Sequence, residues 1–243
     1  MMFLLIFFIL VIIFNTLQYN IYCKKIKLEI FSSNKKVNII QTWKNHQIPQ
    51  KYLPLVNRIK KLKNINYLFF TDIDINNFIS NTCPQYMPVF NNFKYTIQRI
   101  DFFRYLAVYY LGGVYLDLDF YLQSNFNDLN IDKCVLPIEY QKSGDKTLHQ
   151  QNFLPLIGNY AFYAPQKHPF LKLLIDNIIK QRLSLDNLDE KKYVYYSTGP
   201  VMMTQSYLDF QDKQSIELIQ PTPFKKSHFG HYGYHINMGS WKK

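Results

Sequence analysis

Apolar and polar positions along the chain follow the two-residue period of strands in some stretches and the helical period in others. Patterns typical of buried strands occur at Val37–Trp43 and Tyr67–Thr71, and helical spacing occurs at Gln50–Lys63 and Asp74–Asn81. The order strand, helix, strand, helix is typical of a parallel sheet covered by helices. The pattern therefore predicts an α/β domain with a mostly parallel central sheet flanked by helices.

The most regular stretch joins a predicted helix, a pair of glycines and a predicted strand. Within the helix predicted at Phe93–Leu111, Asp101 and Arg104 have the spacing that places two side chains on one helical face. Gly112 and Gly113 follow the helix, and glycine readily adopts the left-handed conformation that a helix C-terminus often needs. We therefore expect the helix to end there and to lead directly into the strand.

Two carboxylates lie in the strand predicted at Val114–Phe120. Its apolar side chains share one parity, whereas Tyr115, Asp117 and Asp119 share the other. Neighbouring carboxylates repel each other unless a cation lies between them, and hard divalent cations prefer oxygen ligands. The pair therefore predicts a divalent-metal site, and a solvent-exposed acidic strand edge is the alternative.

The second half of the chain has a less regular pattern. Strands are predicted at Val135–Glu139 and Leu156–Ala164, helices are predicted at Phe170–Arg182 and Val201–Leu208, and Ser143–Gln151 is predicted to be a polar loop. No internal repeat and no linker to a second domain is visible in this sequence. Residues 37–243 are therefore predicted to form one domain.

The first residues are strongly apolar. Met1–Phe14 is almost unbroken apolar sequence, and weaker apolar character continues to Tyr22, which reaches the roughly 20 residues that span a bilayer. No basic residue precedes this stretch and no small-residue cleavage site follows it. We therefore expect an uncleaved single-pass membrane anchor at residues 1–22 and a short polar stem at residues 23–36. The lysines at 24, 25 and 27 predict a cytoplasmic globular part by the positive-inside rule.

Composition and charge exclude several classes of protein. The 243 residues are 48% hydrophobic and 17% aromatic, which excludes a disordered or fibrous chain. The net charge of +11 is spread along the sequence without a nucleic-acid-binding motif, so we expect no nucleic-acid partner. The three cysteines, Cys23, Cys83 and Cys134, have unrelated spacings, which predicts neither a disulfide framework nor a metal knuckle.

The central stretch resembles the signature of the glycosyltransferases with a DXD sugar-binding region, glycosyltransferase family 32. The family pattern Asp-x-x-Arg-Tyr followed by Gly-Gly-x-Tyr-x-Asp-x-Asp is matched by Asp101, Arg104, Tyr105, Gly112, Gly113, Tyr115, Asp117 and Asp119. Further landmarks occur in the family's order, namely Gln41-Thr42-Trp43, Asn159 with His168-Pro169, Thr198-Gly199-Pro200 and Ser240-Trp241. Ile40 replaces the histidine that the family has before its Gln-Thr-Trp.

The resemblance implies a nucleotide-sugar-binding fold of the GT-A-like type and a retaining transferase. The donor would be a GDP- or UDP-sugar, with mannose among the sugars expected, and the acceptor a glycan, a lipid or a protein. Mn²⁺ is the expected ion and Mg²⁺ the alternative. The family's eukaryotic members are lumenal enzymes, which opposes the orientation that the lysines predict, so the side of the membrane stays open.

The resemblance also assigns roles to individual residues. Asp119 would coordinate the metal directly, and Asp117 would contact the metal or its water, the ribose or the sugar. Asp101 and Arg104 would bind donor hydroxyls and phosphate, since arginine offers a planar fork of donors; a simple intrahelical ion pair is the alternative. The other donor-binding residues that the resemblance implies are Gln41, Thr42, Trp43, Tyr105, Tyr115, Ser240 and Trp241.

The C-terminal segment has two further roles by the same resemblance. Trp241 would donate its indole N–H to the leaving phosphate oxygen, and one histidine would complete the metal site. The sequence does not choose among His228, His231 and His235. Because no second carboxylate is an evident nucleophile, we expect a front-face mechanism in which the leaving phosphate helps to deprotonate the acceptor.

Two other functions are compatible with the acid pair. One is a membrane-anchored protein that binds a nucleotide or sugar without turnover, and the other is a metal-dependent phosphohydrolase that uses Asp117 and Asp119. The landmarks Thr198-Gly199-Pro200 and Ser240-Trp241 favour a transferase, and no phosphatase motif is present in the sequence.

Overall fold

The computed structural model describes residues 36–139, 156–180, 185–221 and 227–238. Residues Val37–Lys243 form one compact unit. The predicted anchor at residues 1–22, nearly all of the stem at residues 23–36 and the polar loop Ser143–Gln151 lie outside the described residues. Ser240 and Trp241 also lie outside them.

A six-stranded sheet in the order β2-β1-β3-β6-β5-β7 forms the centre of the fold. Its strands are β1 (Val37–Thr42), β2 (Ile65–Phe70), β3 (Gly113–Leu116), β5 (Cys134–Pro137), β6 (Ala161–Ala164) and β7 (Ile216–Ile219). A smaller antiparallel sheet contains β4 (Phe120–Leu122), β9 (Gly233–His235) and β8 (Ser227–Phe229) in that order.

Helices connect these strands. They are α1 (Leu53–Lys60), α2 (Asp72–Thr82), α3 (Met87–Asn92), α4 (Thr96–Leu111), α5 (Pro169–Lys180), α6 (Glu190–Ser197) and α7 (Pro200–Asp209). In the large sheet, β1 is parallel to β2 and β3, and β5 is parallel to β7, whereas β6 is antiparallel to both of its neighbours. The prediction of a mostly parallel central sheet flanked by helices is thereby confirmed.

The inner strands of the large sheet are buried on both faces. In β1 the consecutive residues Ile39 and Ile40 are fully buried and belong to different apolar clusters. Ile40 joins the cluster that includes Phe103 and Leu106 of α4, while Ile39 joins the one that includes Phe229 of the smaller sheet. Burial on both faces explains why two consecutive residues of this strand are apolar, where a half-buried strand would alternate.

The predicted membrane localisation is corrected. Across the four ranges that the structure describes, no helix combines the length and the apolar character that crossing a membrane requires. This finding overturns our expectation of a single-pass membrane protein, which was based on the apolar residues 1–22.

The strand predicted at Val114–Phe120 is wrong in its second half. β3 ends at Leu116, and the N–H of Phe120 donates to the carbonyl of Asp117 across 3.0 Å, which closes a turn. Alternating parity does not reveal such a turn, because the apolar residues on both sides of it remain buried. Asp117 and Asp119 therefore lie in a turn between β3 and β4 rather than along one face of a strand.

The junction between α4 and β3 confirms the role predicted for the glycine pair. Gly112 follows the helix with a φ of 66°, and Gly113 begins β3 with a φ of 117°. A Cβ on Gly113 would lie 2.4 Å from the carbonyl oxygen of Asn38 and 2.6 Å from its Cβ. Glycine is required here both by the backbone conformation and by the close approach of β1.

We expect Gly113→Ala to lower the free energy of unfolding by about 2–4 kcal/mol, because it combines backbone strain with a backbone clash. Gly230→Ala is the matched control. Gly230 also has a positive φ, 55°, but its added Cβ would meet side-chain atoms at ordinary contact distances, Ile219 at 3.4 Å and Tyr232 at 3.9 Å, so we expect a loss of about 1 kcal/mol. Urea denaturation of both variants measures the difference, and equal losses would refute the close-approach argument.

Candidate active site

The turn between β3 and β4 presents two carboxylates to one cavity. The N–H of Asp117 donates to the carbonyl of Tyr160 across 2.7 Å, which fixes the start of the turn. Asp117 and Asp119 both line a cavity of ≈ 680 Å³. The turn therefore brings the two acids predicted to bind a metal to the same space.

The C-terminal strand β9 adds a histidine to this pair. Because β9 pairs with β4, His235 lies opposite Phe120, and its Nε2 is 2.8 Å from Oδ1 of Asp119 and 3.7 Å from Oδ2 of Asp117. The backbone N–H of Met238 donates to Oδ2 of Asp119 across 2.7 Å. One potential ligand atom from each of the three side chains lies within 4.8 Å of the others.

The choice among the three histidines is therefore made by strand pairing. His235 contacts both acids, whereas His231 pairs with the exposed Asp128 at 3.0 Å. His228 packs against the ring of Tyr234. No signal in the sequence separates these histidines, since only the register of β9 against β4 determines which one reaches the acids.

The protonation of the cluster reflects burial and mutual attraction. Burial raises the pKa of Asp117 against the opposing influence of Arg104 and His235. Burial also tends to raise the pKa of Asp119, but hydrogen bonds from His235 and Met238 outweigh it and leave that pKa lowered. For His235, burial lowers the pKa and the two carboxylates more than compensate, so its pKa is raised.

The residues of this cluster fit a divalent cation. Two carboxylates and one imidazole supply oxygen and nitrogen ligands of the kind that divalent metals take in proteins. Nδ1 of His235 is buried and has no hydrogen-bond partner among the described residues, so Nε2 carries the polar contacts of this ring that the structure shows. A cation held by these three side chains would take the place of the contact that Nε2 now makes with Asp119.

Arg104 connects the helix α4 to the acid turn. Its Nη2 lies 3.1 Å from Oδ1 of Asp101, and its Nη1 lies 3.3 Å from Oδ1 of Asp117. Nη1 also donates to the carbonyl of Asn159 across 2.7 Å, and the guanidinium lies over the ring of Tyr115, 4.5 Å from its centroid. The pair of Asp101 and Arg104 is therefore not an isolated intrahelical ion pair, because the arginine bridges the buried Asp101 and the partly buried Asp117.

Asp101 is held by the later landmarks of the sequence. It accepts hydrogen bonds from Thr198 Oγ1 at 3.0 Å and from Asn159 Nδ2 at 3.1 Å. Burial raises its pKa to about 6, against the opposing influence of Arg104 and these hydrogen bonds. Tyr105, which is fully buried behind this group, donates to the carbonyl of Thr198 across 2.8 Å.

The end of β1 forms another wall of the cavity. Thr42 and Trp43 line the cavity together with Tyr115, and Trp43 packs edge-on against Tyr52 with ring centroids 5.3 Å apart. Gln41 is fully buried and donates to the carbonyl of Asp117 across 3.2 Å. Gln41 thus supports the acid turn from behind.

The predicted donor-binding residues consequently fall into three groups. One group lines the cavity: Thr42, Trp43, Asp101, Arg104, Tyr115, Asp117 and Asp119. Gln41 and Tyr105 are buried in hydrogen bonds behind this group. Ser240 and Trp241 lie outside the described residues. The sequence reasoning did not single out the cavity-lining Lys94, Tyr95 and Glu190, which have no motif signal of their own.

Comparison with known proteins tests the resemblance inferred from the sequence. Residues 33–136 match the family described as the glycosyltransferase sugar-binding region containing the DXD motif. The match includes Asp101, Arg104, Asp117 and Asp119, and it confirms the resemblance inferred from the sequence.

Similar curated proteins include yeast mannosyltransferases. Inositol phosphoceramide mannosyltransferase 1 of Schizosaccharomyces pombe is 29% identical over 184 residues, which are 71% of this chain and 51% of that protein. Mannosyl phosphorylinositol ceramide synthase SUR1 of Saccharomyces cerevisiae is 24% identical over 213 residues, which are 83% of this chain and 50% of that protein. The chain thus spans about half the length of these relatives.

A solved structure supports the fold. The PaToxG glycosyltransferase aligns with a TM-score of 0.52 and 16% sequence identity, covering 72% of this chain and 69% of that one. At this identity the likeness concerns the fold alone, and it agrees with the arrangement of helices around the central sheet.

Proposed function

We propose that the protein transfers a sugar from a nucleotide-sugar donor to a hydroxyl group of an acceptor, with a divalent cation bound by Asp117, Asp119 and His235. The observation that carries the proposal is the convergence of these three side chains at one cavity. The cavity volume of ≈ 680 Å³ is in the range of small-molecule sites. The matching DXD sugar-binding region supports this function over the two alternatives.

The chemistry explains why the site needs positive charge. Transfer breaks the bond between the anomeric carbon and a phosphate oxygen, so negative charge grows on the departing diphosphate. A bound divalent cation would act there as a Lewis acid and neutralise part of this charge. Asp117 and Asp119 would hold that cation, and the guanidinium of Arg104 adds a fixed positive charge beside Asp117.

We extend the proposal to retention of configuration by a front-face mechanism, which the family resemblance implies. Asp101 is held by Arg104, Thr198 and Asn159, and these contacts favour a role in orientation rather than in nucleophilic attack. In this mechanism the departing phosphate accepts the proton of the acceptor hydroxyl. A glycosylated side chain trapped during turnover would refute it.

For the sugar and the acceptor, the names of the relatives provide the proposal. The curated relatives are named for mannosyl transfer and for inositol phosphoceramide or phosphorylinositol ceramide. We therefore propose GDP-mannose as the first donor to test and an inositol phosphoceramide as the first acceptor.

The test uses the full chain with a panel of GDP- and UDP-sugars in Mn²⁺, in Mg²⁺ and in EDTA, with and without the lipid acceptor. We expect metal-dependent release of the nucleoside diphosphate and a mass gain of one hexose on the acceptor, and NMR of the product gives its anomeric configuration. Nucleotide binding without release from any donor would favour the binding protein. Hydrolysis of phosphomonoesters without sugar transfer would favour the phosphohydrolase.

A further inference from the structure

Tyr160, which directly precedes β6, contacts both parts of the candidate metal centre. Its carbonyl accepts the N–H of Asp117 across 2.7 Å. Its ring is stacked on the imidazole of His235, with centroids 5.0 Å apart and an angle of 8° between the planes. Its hydroxyl donates to the carbonyl of His228 across 2.8 Å. One buried residue thus joins the acid turn, through its backbone, to the strands β8 and β9, through its side chain.

The stacking contact replaces a contact that metal-binding histidines usually have. A ligating histidine normally donates its second ring N–H to a carboxylate, a carbonyl or water, and this bond fixes the orientation of the ring. In His235 the second nitrogen, Nδ1, is buried without a hydrogen-bond partner among the described residues. The face of Tyr160 is therefore the contact that restricts rotation of the imidazole while Nε2 faces Asp119.

The hydroxyl of Tyr160 fixes the position of the stacking ring itself. Tyr160 is only 3% exposed, and its hydroxyl donates to the carbonyl of His228 on β8. β8 pairs with β9, and His228 lies opposite Tyr234 in that pair. A shift of β8 and β9 relative to β6 would therefore break this hydrogen bond and the stack together. The acid turn is tied to the same residue through its backbone, so the three potential ligands share one support.

We propose that Tyr160 is a positioning residue that orients His235 by ring stacking and thereby sets the metal affinity of the Asp117, Asp119 and His235 cluster. The metal part rests on the proposed function. The orientation of His235 does not, because it concerns contacts between side chains of the chain itself.

The variants Tyr160→Leu and Tyr160→Phe separate the two contacts. Leucine removes the stack and the hydrogen bond, whereas phenylalanine keeps an aromatic face and removes only the hydroxyl. Tyr163→Leu is the matched control, because Tyr163 is also buried, belongs to the same apolar cluster and donates to a backbone carbonyl, that of Ile131, at 2.9 Å. It does not line the cavity.

The first measurement needs neither metal nor turnover. The Hε1 resonance of His235, assigned by its loss in His235→Gln, is expected upfield in the metal-free wild-type protein, because the ring lies over the face of Tyr160. We expect the upfield shift to persist in Tyr160→Phe and Tyr163→Leu and to disappear in Tyr160→Leu. A wild-type resonance without an upfield shift, or an unchanged one in Tyr160→Leu, would overturn the positioning role.

The second measurement is the Mn²⁺ affinity of the folded proteins, from the electron paramagnetic resonance of free Mn²⁺. We expect Tyr160→Leu to bind Mn²⁺ about 10–100-fold more weakly than the wild-type protein, as with other residues that orient metal ligands. We expect the Mn²⁺ affinity of Tyr160→Phe to fall much less. Equal weakening in Tyr163→Leu would overturn the proposal, since it would indicate a general loss of stability.

If the wild-type protein bound no Mn²⁺, the metal part would be overturned and the resonance would still decide the positioning role. If Tyr160→Leu did not fold, the wild-type and Tyr160→Phe resonances would decide it.

Discussion

Asp119→Asn is expected to reduce metal-dependent release of nucleoside diphosphate by about 10³-fold. The reason is that a metal on the leaving diphosphate contributes on the order of several kcal/mol to the transition state, and each 1.36 kcal/mol is tenfold in rate. Asparagine keeps the shape of the side chain but removes the negative charge that faces His235. Steady-state release at saturating donor, across a series of Mn²⁺ concentrations, measures the effect.

The control for this substitution is Asp128→Asn. Asp128 also pairs with a histidine, His231 at 3.0 Å, but both side chains are more than half exposed and neither lines the cavity. We expect unchanged release and unchanged Mn²⁺ dependence in this variant. If Asp119→Asn kept the wild-type rate and Mn²⁺ dependence, the proposed metal role of Asp119 would be refuted.

Arg104→Ala is expected to lower the free energy of unfolding by about 3–5 kcal/mol, because removing one partner of a buried ion pair leaves uncompensated charge. Arg104 lies between Asp101 and Asp117, so its loss would leave two carboxylates without their arginine. Chemical denaturation at pH 8 measures the change. Adding Asp101→Asn to Arg104→Ala is expected to restore part of the stability, since the buried charge of Asp101 is then absent.

The loss of unfolding free energy in Arg104→Ala is also expected to depend on pH. The pKa of Asp101 is about 6 in the folded protein, above its ordinary value, mainly because the carboxyl is buried. Between the ordinary pKa of an aspartate and about 6, the folded state therefore binds more protons than the unfolded state. This carboxyl consequently destabilises the fold less as the pH falls through that range. Without Arg104 the pKa should rise further, and we expect the deficit of Arg104→Ala against wild type to be smaller at pH 5 than at pH 8.

Arg99→Ala is the matched control on the same helix. Arg99 is partly exposed, and its Nη2 donates to the carbonyl of Asn91 across 3.2 Å; no carboxylate of the described residues forms an ion pair with it. We expect a loss of no more than about 1.5 kcal/mol, as for an ordinary hydrogen bond, with little dependence on pH. Equal losses in Arg99→Ala and Arg104→Ala would contradict the bridging role of Arg104.

Much of the fold follows from local patterns. The helical spacing around Asp101 and Arg104 predicts α4, the apolar residues of Val37–Trp43 predict β1, and the glycine pair predicts the end of α4, and the structure contains all three features. These signals are local, because side-chain direction within a helix or strand and the conformational freedom of glycine depend on neighbouring residues. The predicted elements could therefore be placed without knowledge of the tertiary contacts.

The sequence by itself determined the α/β order of elements, the ion-pair spacing on α4 and the presence of two acids after the glycine pair. Only the tertiary structure decided that these acids lie in a turn, that Arg104 bridges Asp101 and Asp117, and that His235 is the histidine that joins them. The physical reason is that these contacts join residues distant in the sequence. They depend on the pairing of β4 with β9 and on the packing of α4 against the sheet. Neither the pairing nor the packing can be predicted from the periodicity of a single segment.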